Sequence, residues 1–131
     1  MSYSIQDKTL DISRALPAQN TTAYTSSIDL MSATQELVGN VTDLYVSVPA
    51  TTCATGQTIT LTVQDSADDS TFASVNTLLP LTLTGVSNAT SLTTRTFRLP
   101  PNIRRYARVA IAMSATTGDQ TAITATIRLQ F

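Results

Sequence analysis

Between residues 58 and 64 every second position is Thr or Gln, and the positions between them are Ile59, Leu61 and Val63. Successive side chains of a strand point to opposite faces, so this stretch has one apolar face to bury and one polar face for water. The same period recurs in residues 41–48 (Leu44, Val46, Val48), in residues 91–99 (Arg95, Phe97, Leu99) and in residues 22–30 (Tyr24, Ser26, Ile28, Leu30). It appears twice more near the C-terminus, in Ala107, Val109, Ile111 and Met113, and then in Ile123, Ala125, Ile127, Leu129 and Phe131. These last two runs flank Thr116-Thr117-Gly118-Asp119 and predict an antiparallel hairpin that supplies central strands of the closing sheet. Residues 71–83 predict short strands around Phe72 and Val75 and around Leu81 and Leu83, and residues 33–37 predict one helical turn.

The punctuation agrees with the period. All four glycines (Gly39, Gly56, Gly85, Gly118) and all five prolines fall between the predicted strands or at their ends. Seven or eight short strands with little helix give an all-β fold, an antiparallel β-sandwich or jelly roll, over residues 21–131. Residues 1–20 follow neither period and read as an extended N-terminal arm. Its aliphatics Ile5, Leu10, Ile12 and Leu16 suit docking on another surface, and a frayed terminus is the alternative.

At 131 residues the chain is one domain, large enough to close a core without a disulfide or metal. Charged residues make up 13%, about half the usual ~25%, and 25 threonines take their place. Threonine is β-branched and polar, so it suits the wet face of a strand, and a threonine-coated sheet is easily covered by another protein. No apolar run reaches the ~20 residues of a membrane span. The first residues lack the basic start and apolar stretch of a signal peptide, which points to synthesis in a cytoplasm. The sequons at Asn20, Asn40 and Asn88 are chance products of so threonine-rich a chain.

Most chemistry is excluded by residue type. The chain has no His and a single cysteine, Cys53, which removes Ser-His and Cys-His catalysis, an internal disulfide and a zinc site. Cys53 has no basic neighbour in sequence and reads as an inert small residue. Asp65, Asp68 and Asp69 are the best calcium candidates, but Ala67 and Asn76 stand where an EF-hand loop needs ligands. The expectation is a non-enzyme with no cofactor and no metal.

Charge is divided along the chain although the total is only −1. Residues 1–70 hold Lys8 and Arg14 against seven aspartates and Glu36, while residues 71–131 hold six arginines against Asp119. Either the two halves lie side by side and neutralise each other, or they form complementary patches that match between subunits. Arg95, Arg98, Arg104, Arg105 and Arg108 lie close together, with Phe97 and Tyr106 interleaved. Three uses remain open: a protein interface, pairing inside the chain, or nucleic-acid binding, the last disfavoured by a pI of about 5.

Three features together resemble a known family: the extended segment before the first strand, the run from Leu61-Thr62-Val63-Gln64-Asp65 to Thr71-Phe72, and the proline-led final segment from Leu99-Pro100 through Arg105-Tyr106-Ala107-Arg108-Val109 to Thr121–Ala125. They are similar to the capsid cement (decoration) proteins of tailed bacteriophages, of the small jelly-roll type. The resemblance implies a structural virion protein without catalysis. It would bind the outside of an icosahedral head and bridge subunits of the major capsid protein, as a homo-oligomer, dimer first and trimer second, with no nucleic-acid or membrane partner. Expected contacts are Ile5, Leu10, Ile12 and Leu16 of the arm and Arg98, Arg104, Arg105 and Arg108 of the arginine patch. A tail, head-completion or receptor-binding sandwich is the alternative.

Overall fold

The computed structural model describes residues 11–30, 43–100 and 102–130. The expected helical turn at 33–37, the arm contacts Ile5 and Leu10, and Phe131 lie outside the described residues. In chain order the strands are β1 (Ile12–Ala15), β2 (Thr22–Tyr24), β3 (Ile28–Asp29), β4 (Asp43–Val48), β5 (Thr58–Ser66), β6 (Ala73–Ser74), β7 (Leu81–Thr84), β8 (Thr93–Arg98), β9 (Tyr106–Met113) and β10 (Thr124–Gln130).

They form two antiparallel sheets. The first has the order β1-β10-β4-β8. The second has the order β2-β9-β5-β6, with β3 continuing β2 along β9 and β7 sharing the edge of β5 with β6. Counting β2 with β3 and β6 with β7, each sheet has four strand positions, and the chain changes sheet at every step except from β5 to β6 and β7, as in a jelly roll. The period seen in sequence sets the faces. Leu44, Val46 and Val48, Ile59, Leu61 and Val63, and Ala107, Val109, Ile111 and Met113 are all buried between the sheets, with Phe97, Leu99, Ala125, Ile127 and Leu129.

Three expectations are corrected by the pairing. First, β9 and β10 do not form a hairpin. β9 pairs with β2, β3 and β5, whereas β10 pairs with β1 and β4. Their connection crosses from one sheet to the other, and this requires buried polar groups to be satisfied on the way. Thr117 and Gln120 are buried in that connection. The Gln120 amide donates to the Thr117 carbonyl at 3.1 Å and accepts from the Thr52 backbone N–H at 3.2 Å, and Ala54 N–H donates to the Thr117 carbonyl at 3.2 Å.

Second, residues 12–16 are not an arm. β1 pairs with β10 over four residues, Leu16 N–H donates to the Ile123 carbonyl at 2.9 Å, and the Leu16 side chain is 1% exposed. Leu16 is thus core and unavailable to a partner, and half-buried Ile12 packs against the same core.

Third, residues 22–30 are not one regular strand. Along β2 the register pairs Thr22 with Ala112 and Tyr24 with Ala110, but along β3 it pairs Ile28 with Ala107. One extra residue therefore lies between Thr25 and Ile28, where Ser26 and Ser27 stand against Arg108 alone, a bulge that reverses which side chains face inward. Ala23 and Thr25 are buried before it and Ile28 and Leu30 after it, so Tyr24 is turned outward. The Thr25 hydroxyl accepts from Val109 N–H at 2.9 Å, and Thr25 N–H donates to the Val109 carbonyl at 3.0 Å, which keeps the ladder satisfied at the bulge.

Candidate partner-binding faces

The outer face of the first sheet is coated with hydroxyls. Strand register places Ser13, Thr126, Ser47 and Thr94 in one row across all four strands. The next row holds Arg128, Tyr45 and Thr96. Its long cations are engaged: Arg128 lies 5.4 Å from the Tyr45 ring centre and 3.2 Å from the Asp11 carboxylate, and Arg98 pairs with Asp43 on the neighbouring strand.

The second sheet presents a different face. Thr22, Ala112, Thr60 and Thr82 make one row, Tyr24, Ala110 and Thr62 the next, and Arg108, Gln64 and Ser74 the third. Arg108 lies over two aromatic rings. Its guanidinium carbon is 4.0 Å from the Tyr24 ring centre and 3.9 Å from that of Phe72, and its Nε donates to Gln64 Oε1 at 2.9 Å. The bulge that turns Tyr24 outward makes this stack possible. Phe72 reaches it from the turn that joins β5 to β6.

Arginines 104 and 105 close one end of the sandwich. Arg104 donates to the Asp65 carboxylate from Nε at 3.0 Å, from Nη2 at 2.7 Å and from its backbone N–H at 3.1 Å. Nη2 also donates to the Asp65 carbonyl at 2.8 Å, so the loop after β8 is fastened to the end of β5. Arg105 makes a two-pronged pair with Asp29 of β3 at 3.0 and 2.9 Å. Hydrogen bonding to these aspartates holds both guanidinium groups further toward the charged form than usual. Arg95 donates to the Pro80 carbonyl at 3.4 Å and lies over Phe97 at 4.8 Å.

Part of the charge division is accounted for by these pairs. Asp11, Asp29, Asp43 and Asp65 come from the acidic half, and Arg128, Arg105, Arg98 and Arg104 from the arginine-rich half. Side-by-side strands neutralise these charges within one chain. The arginines that are adjacent in sequence do not form one patch: Arg98 is on the outer face of the first sheet, Arg104 and Arg105 are at the end, and Arg108 is on the face of the second. The sequence cluster identified Arg108 but could not supply its partners Tyr24 and Phe72, which arrive from distant segments.

The acids of the β5–β6 turn are also used locally. Asp65 belongs to Arg104. The Asp68 carboxylate accepts from the backbone N–H groups of Thr71 at 2.9 Å and Ser70 at 3.0 Å and from the Ser66 hydroxyl at 2.8 Å, which pulls its pKa down to about 2. Among the described residues no three His, Cys, Asp or Glu side chains gather as a metal site requires, and no helix is long and apolar enough to cross a membrane. Cys53 is fully buried, its thiol near the Gln57 carbonyl at 3.5 Å, and burial pushes its pKa up. An open groove of about 550 Å³ lies between β7 and the start of β8, lined by four threonines and Ser91 together with Leu83, Val86 and two alanines.

No curated protein matches the chain. The sequence model of a family described as Bbp16 matches residues 12–128, from the first residue of β1 into β10, and so takes in every strand of both sheets. The chain belongs to the Bbp16 family.

Proposed function

We propose that this chain is a structural virion protein, a capsid cement or decoration protein that sits on the outside of an icosahedral phage head and bridges subunits of the major capsid protein. The observation that supports this most is the nature of the two outer faces. The sandwich uses its ion pairs to hold itself together and presents one broad hydroxyl-coated face and one face centred on an arginine packed against two aromatic rings. Neither face converges side chains on a reacting centre. Both are suited to being covered by protein.

The size of a face decides how such a protein would hold. Four strands about 4.8 Å apart and about six residues long at ~3.3 Å each project roughly 400 Å². A stable standard interface takes about 800 Å² from each partner. One face is thus no larger than a single modest contact patch, and linked contacts, through a homo-oligomer (a dimer, or else a trimer) that touches neighbouring shell subunits, would make attachment firm. If the matching sites exist only on the expanded shell, occupancy stabilises that state by mass action.

Sedimentation with purified precursor and expanded shells tests this reading. The protein is expected to pellet with expanded shells and to raise their thermal disruption temperature. Failure to pellet with either form would overturn it.

A further inference from the structure

We propose that the outer face of the second sheet receives a carboxylate-bearing loop of the protein partner, and that Arg108 is the group that meets the carboxylate. This rests on the reading that the chain docks on a protein shell. It assigns the contact and its chemistry.

Among the six arginines of residues 71–131, four have an aspartate partner: Arg98, Arg104, Arg105 and Arg128. Arg95 lies along the sandwich edge against Phe97 and the Pro80 carbonyl. Among the described residues, Arg108 alone of these six stands on an outer sheet face held by neutral groups: two rings and the Gln64 amide oxygen. Its neighbours on this face, Gln64, Thr62 and Ser74 across the strands and Ala110 on its own strand, bring no anion.

The way Arg108 is held matters. Two rings within about 4 Å of the guanidinium carbon and the Nε bond to Gln64 together restrict the rotamers open to the side chain. The terminal amino groups of Arg108 have no bond among the described residues, and they form the remaining donor edge of the fork. A planar fork held in this way matches a carboxylate through two parallel hydrogen bonds, with little rotamer freedom left to lose on binding. The surrounding face favours a protein as the source of that carboxylate. Tyr24 is 44% exposed and packs on Arg108, and tyrosine and arginine are the residue types enriched at protein contacts. A polyanion would need several uncommitted cations in register, and the nearby Arg104 and Arg105 are neutralised by Asp65 and Asp29.

The test has two arms. In the first, the arginine Nε–H and aromatic resonances of the full chain are followed by NMR while tetraglutamate, tetraglutamine or a short oligothymidylate is added. The Arg108 Nε–H and the Tyr24 and Phe72 ring signals are expected to move with tetraglutamate and not with tetraglutamine. No movement, equal movement at Arg98, Arg104 and Arg105, or a preference for the oligonucleotide would overturn the proposal. In the second arm, Arg108→Gln and Arg108→Lys are compared with wild type for shell binding, after thermal unfolding shows that each is folded. Each is expected to weaken binding about tenfold or more, the lysine included because it keeps the charge and loses the planar fork. Unchanged binding overturns the role of Arg108 and leaves the shell reading standing. Wild-type protein that responds to tetraglutamate but binds no shell supports the face and overturns the shell reading.

Discussion

Replacing Leu16 by alanine tests whether the chain before β2 is part of the sandwich. The side chain is 1% exposed and belongs to the core cluster, and its backbone N–H is bonded to the Ile123 carbonyl at 2.9 Å. The substitution removes three carbons, each worth about 0.8 kcal/mol of transfer, so about 2.4 kcal/mol is lost before any cavity is counted. The cavity term brings comparable buried leucines to as much as about 5 kcal/mol. At about 2.1 cal/mol/K per residue, a chain of 131 residues unfolds with an entropy of about 275 cal/mol/K. The expected fall in melting temperature is therefore about 9 to 18 °C, read by circular dichroism, with the urea m-value unchanged. Ser13→Ala, on the exposed side of the same strand, should shift stability by less than about 0.5 kcal/mol. A Leu16→Ala loss below about 1 kcal/mol would refute the placement and return residues 12–16 to a peripheral arm.

Three further outcomes follow from particular contacts. A Cβ on Gly85 would come within 2.2 Å of the Ala54 carbonyl oxygen and 2.5 Å of that of Cys53, so Gly85→Ala should cost about 3 kcal/mol in urea unfolding, and a cost under about 1 kcal/mol would show that this approach is not tight. Thr25→Val removes the acceptor at the bulge and leaves Val109 N–H unpaired, with an expected loss of about 1 to 3 kcal/mol and faster hydrogen exchange at Val109; unchanged exchange would refute the role of the hydroxyl. The Asp68 carboxyl should titrate at about 2 rather than near its ordinary 3.8. Because the folded value is the lower, its stabilisation is complete above about pH 4 and disappears as pH falls through about 2. Melting temperatures of wild type and Asp68→Ala should therefore converge toward pH 2, and parallel curves from pH 5 to pH 2 would contradict this.

The fold was legible where one face of a strand is buried, because alternation then has a single physical cause. Ile59, Leu61 and Val63, and Leu44, Val46 and Val48, lie as their spacing requires. Partner choice was not legible, because alternation says which face a strand buries and nothing about which strand lies beside it. Hence β9 and β10, both well patterned and joined through a glycine-containing turn, belong to different sheets. The signal in that connection was its length, ten residues from Ser114 to Ile123, beyond the usual two to five of a hairpin. The bulge at Thr25 was hidden for a different reason. A threonine fits either face, so the change of phase between Ala23 and Ile28 left Tyr24 looking inward. Charge told more than its local clustering did: the opposite signs of the two halves anticipate the pairs Asp43 with Arg98 and Asp29 with Arg105, which strand adjacency then creates. The stack on Arg108 could not be read at all, since Tyr24, Gln64 and Phe72 meet it only through the register of β2 and β5 against β9.

The central claim is that many copies of this chain coat and bridge an icosahedral shell, and the number of copies in purified particles tests it most directly. Quantitative mass spectrometry against the major capsid protein should give hundreds of copies per particle, in fixed proportion to the shell subunit. About a dozen copies or fewer would place the chain at a tail or neck, and its absence from particles would contradict the account altogether.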